Sequence, residues 1–211
     1  MNKVLLEVKN LEKSFDGVSA IEDISFDLMR AETLGVVGES GSGKTTLARC
    51  ILRAIDPDAG TIRFNSQNGW IDLHNLDENS FVPLRREMQM VFQDPFSSLN
   101  PRMTVRQIIE EPLIIHGEKN KAHRLKLVNR MLERVQMDKR SLTRYPHAFS
   151  GGQRQRIGIA RALVLNPSFV VCDESVSALD VSVQAQIINL LEDLQDELGL
   201  TYLFVAHDLA V

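Results

Sequence analysis

Short runs of apolar residues alternate along the chain with longer stretches in which apolar residues recur every three or four positions. The short runs are typical of β-strands, and they span Val4–Val8, Ile24–Leu28, Thr33–Val37, Thr61–Phe64, Met88–Phe92, Phe169–Cys172 and Thr201–Ala206. The longer stretches predict amphipathic helices over Thr45–Ile55, Ala122–Met137 and Val183–Leu198. Strands that alternate with helices predict an α/β fold built around a parallel sheet.

The middle of the chain has a different pattern from its two ends. Residues 97–160 are mostly helical in character and are interrupted by Pro101, Pro112 and Pro146. We therefore expect a helical subdomain over about residues 95–160, inserted into a core that comprises about residues 1–94 and 161–211. Residues 1–211 are then one domain with an insertion, a size that a single hydrophobic core supports.

The composition of the chain limits the kinds of molecule that it is expected to bind. Hydrophobic residues make up 44% of the 211 residues and charged residues 25%, as in ordinary globular domains. A net charge of -4 gives the chain no general attraction for nucleic acid, so no nucleic-acid partner is expected. No apolar run approaches the roughly 18 residues that span a bilayer, so we expect membrane contact only through a partner protein. Cys50 and Cys172 lack metal-ligand spacing, which favours two buried thiols in a reducing compartment.

The stretch GESGSGKTT, from Gly38 to Thr46, matches the pattern G-x-x-x-x-G-K-[ST] at every fixed position. Glycines let the backbone curl so that successive N–H groups point at a phosphate chain, and the following helix adds the positive end of its dipole. Lys44 is suited to reach the β- and γ-phosphates, and the Thr45 hydroxyl is suited to ligate Mg²⁺. The residues expected to bind the nucleotide are Gly38, Glu39, Ser40, Gly41, Ser42, Gly43, Lys44, Thr45 and Thr46. The alternative is a glycine-rich turn that binds nothing.

Two carboxylates, Asp173 and Glu174, directly follow the apolar run Phe169–Cys172. Ligands of open α/β sheets bind at the carboxyl ends of the strands. Asp173 is suited to hold the shell of a Mg²⁺ ion, directly or through water, and Glu174 is suited to orient or deprotonate an attacking water. A solvated acidic strand end is the alternative, and the phosphate loop elsewhere in the chain weighs against it.

The stretch Ser150–Gln153 (SGGQ), followed by RQRIGIARAL, resembles the signature motif of ATP-binding-cassette (ABC) ATPases. The resemblance extends over essentially the whole chain, and it implies ATP and Mg²⁺ as cofactors. The fold that it implies is α/β: a P-loop NTPase (RecA-like) core with a parallel sheet, a small antiparallel β-subdomain and an inserted α-helical subdomain. Single residues gain implied roles: Phe15 stacks on adenine, Gln93 contacts magnesium and acts as a hinge, Asp180 belongs to the D-loop, and His207 senses the γ-phosphate.

The signature motif also has a physical interpretation. Ser150, Gly151 and Gly152, with Gln153 after them, are expected to precede a helix and to form a second phosphate cradle of N–H and hydroxyl groups. In the ABC family this cradle closes over the ATP of the opposite subunit, so the resemblance implies that catalysis needs a dimer. The alternative for SGGQ is a simple helix N-cap followed by a glycine turn.

Two further stretches, FQDPFSSLNPRMTV (Phe92–Val105) and SALDVSVQAQI (Ser177–Ile187), resemble the ATPases of oligopeptide and dipeptide importers. This branch implies an ATPase that powers uptake of peptides or a related solute through an integral-membrane permease, at the cytoplasmic face of the cell membrane. It also implies a second ATPase subunit, identical or paralogous, and indirectly a solute-binding protein. Phe96, Leu99 and Met103 are candidate residues for docking the permease; ordinary packing within the helical subdomain is the alternative.

The chain departs from the family pattern at two positions. Ser175 stands where the family commonly has proline, and Ala148 stands where it commonly has glutamate. Neither departure removes a phosphate or metal contact. Ser175 does relax a backbone constraint beside Glu174, so the resemblance predicts ATP binding more directly than it predicts the rate of hydrolysis.

Family members also continue beyond the position of Val211, so a fragment is expected, with His207 near a frayed end. Two other functions stay open at this point. One is an ABC ATPase that acts on DNA or ribosomes. The other is a truncated chain that binds nucleotide without turnover.

Overall fold

Two four-stranded sheets form the framework of the chain, which the computed structural model describes over residues 3–207. The strands, in chain order, are β1 (Val4–Phe15), β2 (Val18–Met29), β3 (Thr33–Val37), β4 (Ala59–Ser66), β5 (Gly69–Asp72), β6 (Met88–Val91), β7 (Phe169–Asp173) and β8 (Thr201–Ala206). The helices are α1 (Lys44–Ile51), α2 (Glu78–Phe81), α3 (Val105–Ile115), α4 (Lys121–Arg134), α5 (Gly151–Leu163) and α6 (Val181–Leu198). Shorter 3₁₀ turns lie at Leu84–Arg86, Lys139–Thr143 and Pro146–Ala148.

The parallel sheet has the strand order β3-β8-β7-β6. The alternation of strands and helices along the sequence predicts such a parallel sheet, although not the order of its strands. Its strand β7 is buried along its whole length, and successive side chains enter two different cores. Phe169 and Val171 pack with the antiparallel sheet and α1, whereas Val170 and Cys172 pack with helices α3 to α6. Because both faces of the sheet are covered, a ligand has access to it at the carboxyl ends of the strands.

The antiparallel sheet has the order β2-β1-β4-β5, and its first two strands are much longer than the sequence pattern predicts. Asn10 and Asp23 each have a φ of 47°, and the Asn10 amide donates to the Asp23 carboxylate at 2.6 Å. The register of β1 against β2 shifts at this bulge, so apolar residues no longer alternate regularly along either strand. Asp16 and Gly17, with φ of 49° and 81°, form the tight hairpin turn between the strands.

Helix α1 is shorter than the predicted Thr45–Ile55, because the chain leaves the helical conformation after Ile51. Arg53 adopts a left-handed φ of 50°, and its guanidinium donates to the Leu76 carbonyl at 2.7 Å. Helices α3, α4 and α5 fill most of the stretch that the sequence predicts to be helical. No helix within residues 3–207 is long and apolar enough to cross a bilayer.

Candidate active site

The glycine loop connects β3 to α1, and its shape depends on Gly43. This residue has a φ of 87°, and a Cβ added there would lie 1.9 Å from the main-chain oxygen of Ala20. Only glycine fits both constraints. Gly41 also has a positive φ, of 80°. The loop and the first residues of α1 line a common space.

Lys44 begins α1, and its buried side chain turns back along the loop. Its ammonium donates hydrogen bonds of 2.6 Å to the carbonyl oxygens of Gly38 and Glu39, and the Ser42 hydroxyl lies 3.4 Å away. The positive charge is thus held over the loop, at the N-terminal end of a helix dipole. Both features favour an anion at this place.

Thr45 and Asp173 connect the loop to the parallel sheet. The Thr45 hydroxyl lies 3.1 Å from a carboxylate oxygen of Asp173, at the carboxyl end of β7. Burial raises the pKa of the Asp173 carboxyl above its usual value, and the hydrogen bond from Thr45 partly opposes that rise. Paired oxygen ligands of this kind suit Mg²⁺, which binds one or two protein groups and takes its other ligands from phosphate and water.

Each oxygen of the Glu174 carboxylate lies close to a side chain that follows a neighbouring strand. Gln93, after β6, donates its amide to one oxygen at 2.5 Å. The Nε2 atom of His207, after β8, lies 2.5 Å from the other. Since β6, β7 and β8 are adjacent and parallel, their carboxyl ends bring these side chains together.

The backbone of Glu174 has an unusual conformation for a residue with a side chain, with a φ of 46°. Its N–H donates to the carbonyl of Val205 at 2.9 Å, and its own carbonyl accepts from the N–H and the hydroxyl of Ser177, at 3.0 and 2.9 Å. Contacts on both sides of the residue therefore fix this conformation. Sequence reasoning missed this role of Ser177, since only the folded loop shows it.

A cleft of about 310 Å³ lies between the loop and the strand ends. Its lining residues are Ala20, Ser40, Gly41, Gly43, Lys44, Thr45, Thr46, Gln93, Glu174 and His207. Gly38, Glu39 and Ser42 belong to the loop but do not line the cleft, and each of them contacts the Lys44 ammonium. Phe15 does not line the cleft; it ends β1 with 45% of its surface exposed.

The SGGQ stretch caps a helix at a different place from this cleft. The Ser150 hydroxyl accepts from the N–H of Gln153, and the Gln153 side chain accepts from the N–H of Ser150, a reciprocal capping box. Gly151 and Gly152 form the first turn of α5, whereas the sequence suggested that they precede it. A Cβ on Gly152 would lie 2.5 Å from the side chain of Val183, so the helix start lies tightly against α6. None of the four residues lines the cleft in the same chain.

Asp180 precedes α6 at its N-cap position, but its side chain makes no capping hydrogen bond. It is exposed, as are Ser177 and Ala178 before it. The D-loop thus reaches the surface beside the start of α5, where the Leu179 side chain lies against Gly151. Ser175, in contrast, is fully buried, and its hydroxyl has no hydrogen-bond partner among residues 3–207.

The three candidate docking residues have different environments. Leu99 is 2% exposed and belongs to the hydrophobic core, and Met103 packs against that core. For Leu99 the docking interpretation is wrong, because a core side chain is not available to a partner. Phe96 is 56% exposed, and the guanidinium of Arg154 lies 4.3 Å from its ring centroid.

The model of the ABC transporter family matches residues 21–177 of this chain. The oligopeptide transport ATP-binding protein OppF of Bacillus subtilis (strain 168) is 51% identical over 217 residues, which cover 100% of this chain and 70% of the relative. OppF of Streptococcus mutans is also 51% identical, over 99% of this chain and 68% of the relative. Relatives from Brucella species are 53% identical, and the chain spans 65% of their length.

Two solved structures have the same architecture. One is cbiO1 of Clostridium perfringens, part of the ABC transporter complex cbiONQ, with a TM-score of 0.86, 29% identity, and coverage of 99% of this chain and 80% of that chain. The other is the ATP-binding cassette MJ0796, a dimer in a post-hydrolysis state bound to ADP and Pi. It has a TM-score of 0.84, 30% identity, and coverage of 98% of this chain and 89% of that chain. The prediction of a P-loop NTPase fold with a parallel and an antiparallel sheet is confirmed.

Proposed function

Because this chain belongs to the ABC transporter ATPase family, we propose that it hydrolyses ATP to power import of peptides or a related solute. The names of similar relatives support the importer branch, since they describe oligopeptide transport. The observation that carries the proposal is the placement of Lys44, Thr45, Gln93, Glu174 and His207 around one cleft. That set combines an anion site with a buried carboxylate that can position a water, two of the parts that hydrolysis of a phosphoanhydride uses.

The phosphate chain of ATP binds along the loop in this proposal. The ammonium of Lys44 exchanges its bonds to the Gly38 and Glu39 carbonyls for bonds to phosphate oxygens. N–H groups of the loop and of the first turn of α1 complete the cradle. Lys44 also offsets negative charge that develops on the phosphates during the reaction.

Glu174 orients the attacking water and accepts its proton in this scheme. Its buried carboxylate lines the cleft, where the Gln93 amide donates a hydrogen bond to one oxygen and His207 Nε2 lies 2.5 Å from the other. These two neighbours restrict rotation of the carboxylate, so its orientation is set before the nucleotide binds. His207 is placed to contact the γ-phosphate, since it lines the same cleft.

Magnesium fits this site through Thr45 and Asp173, with Gln93 close by. When bound, Mg²⁺ supplies positive charge that neutralises the β- and γ-phosphates. Asp173 is buried and accepts one hydrogen bond from Thr45, so a cation would offset the cost of keeping its carboxylate ionised.

A second cassette completes the site. Ser150 to Gln153 do not line the cleft of their own chain, although the start of α5 is an anion-binding end. In a dimer of cassettes this helix end would face the phosphate loop of the partner, which is either a second copy or a paralogue. Closure of the dimer on ATP would then drive a membrane permease at the cytoplasmic face, supplied with solute by a binding protein. Exposed Phe96 remains a candidate for the permease contact.

The test is the dependence of ATP hydrolysis on protein concentration. The specific rate is expected to rise as the chain dimerises, and light scattering should detect the dimer with Mg-ATP. Activity that appears only after a paralogous cassette is added would still support a site shared between two cassettes, and it would identify the paralogue as the partner. A chain that stays monomeric and hydrolyses ATP at the same specific rate at every concentration would contradict the proposal that a second cassette completes the site. Ser150→Arg is the matched variant, expected to bind ATP normally but to lose turnover.

A further inference from the structure

Asp58 connects the end of β1 to the loop that follows α1. One carboxylate oxygen accepts a 2.7 Å hydrogen bond from the Lys13 ammonium, and the other accepts a 2.7 Å bond from the N–H of Ser14. The N–H of Asp58 in turn donates to the Glu12 carbonyl at 2.9 Å. Three bonds from one residue therefore hold three successive residues of the strand, and the next residue is Phe15.

These bonds occur where regular sheet pairing fails. Pairing of β1 with β4 ends at Glu12 opposite Ala59. On the other side of β1, the register against β2 shifts on each side of Lys13. Beyond Glu12, the Asp58 carboxylate replaces the neighbouring strand as the acceptor for the Ser14 N–H. Without it, this end of β1 would keep only its irregular pairing with β2.

Phe15 depends on this end of the strand for its position. Its ring is 45% exposed, and the ammonium of Lys13 lies 5.4 Å from the ring centroid. Lys13 therefore contacts both the Asp58 carboxylate and the face of the ring. The hydrogen bonds from Lys13 and from the Ser14 N–H hold the pKa of Asp58 below its usual value.

The loop that carries Asp58 begins at the C-terminal end of α1, the helix whose first residue is Lys44. Gly60 fixes the path from this loop into β4: it has a φ of 94°, and a Cβ there would lie 2.4 Å from the Asn10 carbonyl. A short and sterically fixed route thus connects the phosphate loop, α1, Asp58 and Phe15. It sets the spacing between the place for the phosphates and the place for the base.

We propose that Asp58 is a positioning residue for the nucleotide base, acting through Lys13 and Ser14 on the ring of Phe15. The inference rests on the proposed function and on the role that the family resemblance implies for Phe15, which is to stack on adenine. Loss of the Asp58 carboxylate should therefore lower the affinity for a nucleotide but not the affinity for a bare polyphosphate, because the phosphate site stays unchanged.

Calorimetric binding of Mg-ATP and of magnesium tripolyphosphate to the full chain tests this proposal. Asp58→Ala should weaken ATP binding about tenfold, the size of a lost base–aromatic stack, and leave tripolyphosphate binding unchanged. Asp58→Asn keeps an acceptor for Ser14 but loses the charge partner of Lys13, so a smaller loss is expected. Asp56→Ala is the matched control, because Asp56 is exposed and pairs only with Arg53 among residues 3–207.

A double variant separates positioning from general damage. In the Phe15→Ala background, Asp58→Ala should cause no further loss of ATP affinity, since the ring it positions is gone. Equal losses for ATP and tripolyphosphate, additive losses in the double variant, or no loss for Phe15→Ala would each overturn the proposal. Failure of the proposed function looks different: the unmodified chain would bind neither ligand, or Lys44→Ala would leave both affinities unchanged.

Discussion

The hydroxyl of Ser177 donates a 2.9 Å hydrogen bond to the main-chain carbonyl of Glu174. Glu174 has a φ of 46°, a conformation that costs a non-glycine residue on the order of 1 kcal/mol. Together with the bond from the Glu174 N–H to Val205, the Ser177 contact keeps the carboxylate aimed into the cleft. The position of the proposed catalytic group therefore depends on a residue that does not line the cleft.

Replacement of Ser177 tests this dependence. Ser177→Ala should lower kcat for ATP by about threefold to tenfold, the equivalent of one lost hydrogen bond, with the KM for ATP unchanged. Ser177→Thr keeps the hydroxyl and should restore most of kcat. Steady-state kinetics of the three proteins provide the measurement. A raised KM with normal kcat would show instead that Ser177 shapes the binding site.

The phosphate loop should tolerate no side chain at position 43. Gly43→Ala would bring a methyl group to 1.9 Å from the Ala20 carbonyl at a φ of 87°, so the loop must move. We expect ATP binding to fall by at least about a hundredfold, because loop N–H groups and Lys44 lose their common orientation. Gly158→Ala is the control: a Cβ there meets nothing within 4 Å, and alanine in helix α5 should raise stability slightly. Normal ATP binding by Gly43→Ala would contradict the steric argument.

Sequence patterns predicted the parallel sheet well, because each of its strands is a short apolar run that needs no tertiary context to recognise. The antiparallel sheet was predicted less well. Left-handed Asn10 and Asp23 interrupt the alternation of β1 and β2, and β5, with only four residues, was missed. The phosphate-loop motif and the carboxylates after the apolar run indicated one part of the cleft, and the family resemblance implied that Gln93 and His207 join it. Neither the motifs nor the resemblance predicted Ser177 or Asp58, whose contacts arise only from loop geometry in the folded chain.

The helical subdomain contains a buried ion pair that makes stability depend on pH. Glu110 is buried; desolvation raises its pKa, but hydrogen bonds from Arg124 at 2.6 Å and Arg106 at 3.1 Å outweigh this and leave the pKa lowered. A carboxyl whose folded-state pKa is lowered adds stability above its unfolded pKa, and that stability is lost as pH falls through the folded pKa.

Glu110→Gln should therefore destabilise the chain by about 3 kcal/mol at neutral pH, since Arg124 is left buried with an uncharged partner. The difference from the unmodified chain should begin to shrink once pH falls below the unfolded-state pKa of about 4.3, and it should disappear as pH falls through the lowered folded-state pKa of Glu110. Urea unfolding at several pH values measures both effects. Exposed Glu111→Gln is the matched control and should change stability little. A constant difference across pH would contradict the ion-pair account.

Alanine substitutions at Leu99 and Phe96 should distinguish a side chain that packs in the core from one that contacts a permease. Leu99→Ala removes a core side chain and should cost about 3 kcal/mol of stability. Phe96→Ala should cost much less, and it should leave the ATPase rate of the isolated chain unchanged while weakening stimulation by a reconstituted permease. Thermal unfolding and ATPase assays with and without permease make the comparison. Full stimulation of Phe96→Ala would remove Phe96 from the permease contact.

ATP turnover by Glu174→Gln, measured beside ATP affinity, tests the central claim most directly. Glutamine preserves the size of the side chain but cannot accept a proton from water. We expect unchanged ATP affinity, a kcat at least about a hundredfold lower, and accumulation of an ATP-bound dimer. Turnover at the normal rate would contradict the catalytic assignment of Glu174 and, with it, the account of the cleft as an ATP-hydrolysing site.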